Sequence, residues 1–163
     1  LRRAQTACAI SHMSLWWRVA TGDGRPALVF EDDAVPQVGF VDRLVEIVGD
    51  LLDGDGLPDV LFLGLSHHAD HLAPTSLHQR EIAVDLAGVM GGAFAYVVSQ
   101  AGARGLWELA QRGGIPCAID TFILMHTRTL RIRQAVPALV TTPVARNGGP
   151  VIESDIQYDR HVL

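Results

Sequence analysis

The stretch that decides the reading is Ala27-Leu28-Val29-Phe30-Glu31-Asp32-Asp33, four apolar residues running straight into three carboxylates. The apolar four show no alternation, which predicts a short buried strand. Three adjacent carboxylates repel one another, so ending a hydrophobic strand with them is costly unless water or a cation compensates. In extended chain alternate residues share a face, so Glu31 and Asp33 are expected to point one way and Asp32 the other. Two carboxylates on one side of a strand's carboxyl end suit a hard divalent cation, Mn2+ or Mg2+, that keeps positions open for phosphate oxygens. A solvated acidic turn, with Asp33 capping a helix, accounts for the same residues. The spacing alone leaves both readings open.

Working outward, Ala4, Cys8, Ser11, Leu15 and Val19, with Trp16 beside them, recur at a helical period over residues 4–20. The loop 21–26 separates that helix from the strand. Beyond the triplet, Phe40, Val41, Leu44, Val45, Val48, Leu51 and Leu52 mark an amphipathic helix over 38–52, stopped at Asp53-Gly54-Asp55-Gly56. VLFLG (60–64) reads as a second buried strand and AFAYVV (93–98) as a third. Between them, residues 65–80 are polar and hold four His, which predicts a long loop, and 81–86 an edge strand. Ser99 is placed to cap a helix striped by Ala103, Leu106, Trp107 and Ala110 and closed at Gly113-Gly114. A short helix is expected over 119–126. Leu130 and Ile132, alternating with Arg131 and Arg133, predict a strand with one wet face, and Val136–Thr142 a further strand. Unalternating strands separated by helices imply a single α/β domain over 1–163, its sheet covered on both faces.

The 163 residues carry 48% hydrophobic and 19% charged side chains, enough apolar surface for a core and too little polarity for disorder. All 13 basic residues are Arg and the net charge is −5, which argues against a nucleic-acid partner. No apolar run approaches the roughly 18 residues of a membrane span. Two Cys make no disulfide framework. The chain opens without Met, so a preceding segment is expected.

The order of motifs resembles glycosyltransferase family 25, which includes lipopolysaccharide and lipooligosaccharide glycosyltransferases and collagen galactosyltransferase domains. The similar segments are ACAISHMSLWWRVA, with its Cys-Ala-x-Ser-His helix and following Trp; ALVFEDDAV; GGAFAYVVSQAGARGLWE; IPCAIDTFI; and ESDI. Together they span residues 7–156. The resemblance implies a GT-A-like (Rossmann-like) mixed sheet flanked by helices, with the family's first strand absent from this chain. It also implies inverting transfer of a hexose, galactose foremost, from a UDP-sugar to a saccharide acceptor of the cell envelope. It places the work in the cytoplasm or at the inner face of the membrane, with peripheral membrane association.

On that resemblance Glu31, Asp32 and Asp33 stand for the family's metal motif. Asp33 is the expected direct ligand of Mn2+ or Mg2+, and Glu31 a second ligand or a donor contact. Asp120 is the candidate general base, since an acceptor hydroxyl needs a carboxylate in reach to take its proton; a helix N-cap is the competing role. Ser11 and His12 are candidate donor contacts, against a hydrogen-bonded core His. Asp155, in the polar tail, is a candidate to reach the donor. Cys8 and Cys117 read as small buried residues in preference to nucleophiles. His67, His68 and His71 with Asp70 offer a zinc-like set in a segment that lacks scaffold, so an acceptor-side loop fits better. Arg128, Arg131 and Arg133 read as a solvated strand face ahead of a diphosphate site, Arg104 with Glu108 as a surface pair, and Trp16, Trp17 and Trp107 as core. Two rivals use the same residues: a catalytically silent domain that binds a glycan or partner, and a metal-dependent hydrolase.

Overall fold

Helix α1 (Arg3–Ala20) leads into strand β1 (Ala27–Phe30), where the apolar run was expected, and a short strand β2 (Val35–Pro36) follows the acidic triplet. Then come α2 (Phe40–Asp53), β3 (Val60–Gly64), β4 (Gln79–Glu81), β5 (Ala95–Val98), α3 (Gln100–Gly113), α4 (Ile119–Leu124), β6 (Ile132–Ala135) and β7 (Val140–Thr141). This computed structural model describes residues 3–64, 79–81 and 93–142. The expected loop 65–80 and edge strand 81–86 fall mostly outside those residues, as do Gly91-Gly92, the four His of that loop, Asp70 and the tail with Asp155.

Five strands form one mixed sheet in the order β1-β5-β3-β6-β4, and β2 pairs with β7 in a separate two-stranded ribbon. Strand β5 runs antiparallel to both β1 and β3, while β3 and β6 are parallel, so β1, β3 and β6 share a direction. Their carboxyl ends therefore lie along one edge of the sheet.

Period-two alternation divides the core. Val60, Phe62, Tyr96 and Val98 face one way and join Trp16 of α1, Leu106 of α3 and Phe122 and Ile123 of α4. Leu61, Leu63, Ala95 and Val97 face the other way and join Ile47 and Leu51 of α2. Strand β3 is buried at every position, as its unbroken apolar run demands between two helical layers. The prediction for β1 needs correction. Leu28 and Phe30 are each 42% exposed and only Val29 is buried, because among the described residues β1 pairs on one side alone and α2 reaches its second face through contacts such as Phe30 on Phe40.

Two glycines set distances between layers. A side chain at Gly102 would strike the backbone of Asp59, so α3 approaches the start of β3 as closely as chain can. A side chain at Gly64 would strike the carbonyl of Val140, which brings β7 against the end of β3. Ser99 caps α3 as expected, its hydroxyl accepting from the Gly102 amide at 3.0 Å. Arg104 and Glu108 do not pair: Glu108 meets Arg112, and Arg104 donates to the Ala20 carbonyl at the open end of α1.

Candidate functional site at the carboxyl edge of the sheet

The acidic triplet is a turn and not extended chain, which corrects the premise of alternating faces. The Glu31 amide continues the ladder to the Phe94 carbonyl at 2.9 Å; the chain then folds back, and the Ala34 amide donates to the Glu31 carbonyl at 3.2 Å. The three carboxylates consequently take separate surroundings. Glu31 turns to α1, Asp32 is exposed, and Asp33 turns to β7.

On the α1 side a buried polar chain has formed. The indole of Trp16 donates to the Tyr96 hydroxyl at 3.2 Å, and that hydroxyl lies 2.6 Å from Nδ1 of His12. Trp can only donate, so the Tyr96 oxygen accepts there, and a second hydrogen bond joins the same oxygen to Nδ1. The other ring nitrogen, Nε2, faces Oε1 of Glu31 at 3.5 Å. The His12 side chain is 8% exposed and that of Glu31 25%. Burial pushes the Tyr96 phenol well above its usual range, so it acts as a neutral hydroxyl. His12 is thus a hydrogen-bonded core His that also meets a residue of the triplet.

Cys8, one helical turn before His12, completes the cluster. The ligand atoms of Cys8, His12 and Glu31 all lie within 4.8 Å of one another. Burial first, then the charges of Glu31, Asp120 and Asp32, pushes the Cys8 thiol up to about 11. Such a thiol is a poor nucleophile at neutral pH, as expected, but Cys8 and Cys117 are only partly buried, which corrects their reading as buried residues. The same field shows that Asp120, 89 residues beyond Glu31 in sequence, shares this neighbourhood. Cys117 is raised too, by burial and then by Asp120.

Asp120 itself is buried in the first turn of α4. The N-cap position belongs to Ala118, which makes no side-chain cap, so the capping role is corrected. A cap must sit outside the helix with its side chain turned back over the first amides. Asp120 is already inside, and its Oδ1 accepts from the adjacent Thr121 amide at 2.6 Å.

On the other side of the turn, Oδ2 of Asp33 accepts from the Thr142 hydroxyl at 2.8 Å. Its Oδ1 is buried and finds no donor among the described residues. A buried carboxylate oxygen without a partner is costly, and a hard cation bound through oxygen would remove that cost. Asp33 therefore fits Mn2+ or Mg2+. Glu31 is directed at His12 instead, so the two residues expected to share a cation face different partners. Ser11 lies on the exposed side of α1, where its hydroxyl donates to the Ala7 carbonyl. It lines an open groove of about 590 Å³ with Leu15, Arg18 and Arg25, away from the buried chain.

The structure supplies partners to which sequence reading gave no place in the site: Tyr96, Thr142 and Trp16, the last read only as core. Tyr96 had a signal, a polar tip inside the apolar run AFAYVV. Thr142 had none. Of the three Trp, Trp16 is fully buried, while Trp17 is half exposed against Trp107, ring centroids 5.2 Å apart.

The class this defines is a mixed α/β protein with carboxylates gathered at the carboxyl edge of its parallel strands, the usual place for ligands in such sheets. Residues 1–123 match glycosyltransferase family 25 (LPS biosynthesis protein), and the chain belongs to that family. Family membership makes it a glycosyltransferase of lipopolysaccharide biosynthesis, acting on a sugar donor and an acceptor. No curated protein matches. No helix among the described residues is long and apolar enough to cross a membrane.

Proposed function

We propose that this chain is a metal-dependent, inverting hexosyltransferase of GT-A-like fold, moving galactose from a UDP-sugar to a saccharide acceptor of the cell envelope. The observation that carries the reading is Asp33, just beyond β1, with one oxygen held by Thr142 and the other buried and without a donor among the described residues. Asp33 holds Mn2+ or Mg2+, with exposed Asp32 beside it. When bound, the cation neutralises charge building on the leaving diphosphate. Glu31, oriented by His12, meets the donor. Asp120 takes the proton of the acceptor hydroxyl as that oxygen bonds the anomeric carbon, opposite the departing UDP. The setting proposed with this activity is the cytoplasm, at the inner face of the membrane.

Asp33→Ala tests the reading. Manganese-dependent turnover of UDP-galactose is expected to fall at least about a hundredfold, in line with loss of one preorganised electrostatic contact, while thermal melting stays nearly unchanged. Full turnover in the variant would remove Asp33 from the role.

A further inference from the structure

We propose that Cys8, His12 and Glu31 form a second cation site, one for a borderline transition ion such as Zn2+ and distinct from the all-oxygen environment of Asp33. The three ligand atoms are a sulfur, an imidazole nitrogen and a carboxylate oxygen, all within 4.8 Å of one another. That set is characteristic of zinc and foreign to magnesium. Cys8 and His12 sit four residues apart on α1, so one helix presents both on the same side. Glu31 comes from the turn after β1 and closes the third corner.

The surroundings resemble those of an assembled metal site. A metal-bound His normally engages its second ring nitrogen with an oxygen, which fixes the orientation of the ring. Nδ1 of His12 is already engaged by the Tyr96 hydroxyl at 2.6 Å, leaving Nε2 toward Glu31 and Cys8. The His12 ring is further held between Tyr96, stacked at 5.7 Å, and Trp16 at 6.2 Å. Three protein ligands leave a four-coordinate zinc one open position for water or a substrate oxygen.

On binding, the Cys8 thiol loses its proton to solvent as the metal–sulfur bond forms. His12 offers Nε2 to the ion as a neutral imidazole, with its ring proton on Nδ1 donating to the Tyr96 oxygen. That oxygen has lone pairs for both His12 and Trp16. One proton is released per ion, and no redox partner is required.

Cobalt(II), which reports thiolate ligation through a near-ultraviolet sulfur-to-metal absorption, is the probe. Titrating the full chain is expected to raise that band to saturation at one equivalent, and Zn2+ is expected to abolish it by displacement. Cys8→Ser should lose the band and Cys117→Ser keep it; Tyr96→Phe should weaken affinity about ten- to a hundredfold, as outer partners of metal-bound His do. Stoichiometric Zn2+ should also protect Cys8 of the unsubstituted chain from iodoacetamide, read by mass spectrometry, which needs no variant to fold. Absence of the band, its survival in Cys8→Ser, or binding only at millimolar cobalt would overturn the proposal. The cobalt and alkylation readouts do not involve sugar transfer, so failure here leaves the role of Asp33 standing, and failure there leaves this site standing.

Discussion

Acidic residues stand at both edges of the sheet, and the two edges treat them differently. At the amino edge Asp59 is held by the chain through both its carboxylate and its carbonyl. Its Oδ2 accepts from the Arg131 amide at 2.8 Å, its carbonyl accepts from the Ser99 amide at 3.1 Å, and Gly102 packs on its backbone. Nearby, Asp55 takes Arg133 through its carboxylate and Arg131 through its carbonyl. The Arg131 and Arg133 side chains are thereby spent on neighbouring loops. At the carboxyl edge Asp32 is exposed and Asp33 keeps one oxygen without a donor among the described residues. An edge whose carboxylates are satisfied by the chain contributes stability; one whose carboxylates wait for a partner is available for chemistry, at a cost in stability.

Substitutions at each edge can break this contrast. The largest effect on folding is expected from Gly102→Ala, whose methyl group meets backbone that has nowhere to move. A loss of about 3 kcal/mol is expected in chemical denaturation, and a loss below about 1 kcal/mol would show that α3 can slide away from β3. Tyr96→Phe comes next, since it strips partners from both the Trp16 indole and the His12 ring. At about 1 kcal/mol for each orphaned group, a loss of about 2 kcal/mol should appear in the same assay.

The edges are compared directly by Asp59→Asn and Asp33→Asn. The first should lower stability by about 1–2 kcal/mol through its weakened bond to the Arg131 amide. The second should leave stability unchanged or raise it by up to about 1 kcal/mol, because it removes the charge from a part-buried group whose Oδ1 has no donor among the described residues. Equal losses at the two positions would end the contrast.

The smallest expected effect concerns His126, which packs edge-on against Phe122 at 4.8 Å and whose pKa burial lowers. The unfolded chain then binds the proton more readily. This contribution is present above the ordinary His range and is lost as pH falls through the folded value. His126→Gln should flatten the decline in melting temperature below about pH 6.5 without moving it at pH 8.

Much of the scaffold was legible because it rests on local periodicity. Strand β3 begins and ends where VLFLG does, and Ser99 caps α3 because a hydroxyl at that position reaches the Gly102 amide whatever lies farther off. The triplet was legible as a cluster at a strand end, but its geometry was not. Extended chain would have put Glu31 and Asp33 on one side; the turn closed by Ala34 sends them to different neighbours. Asp120 was legible through its motif, while its place inside α4 depends on where the helix starts, which sequence spacing leaves uncertain by a residue or two. The exposure of β1 was hidden because an apolar run does not reveal how many strands will flank it.

What the amino-acid order determined by itself is the four helices, the central apolar strands and the presence of three carboxylates where an apolar strand ends, since periodicity and charge are local properties of the chain. Only the tertiary structure decided the partner of each carboxylate. His12 receives its hydroxyl from a residue 84 positions away, and Asp33 from one 109 positions away. A side chain's direction after a strand is settled by the turn that follows and by what the folded sheet brings against it, and the second of these comes from parts of the chain far outside the residue's own neighbourhood in sequence.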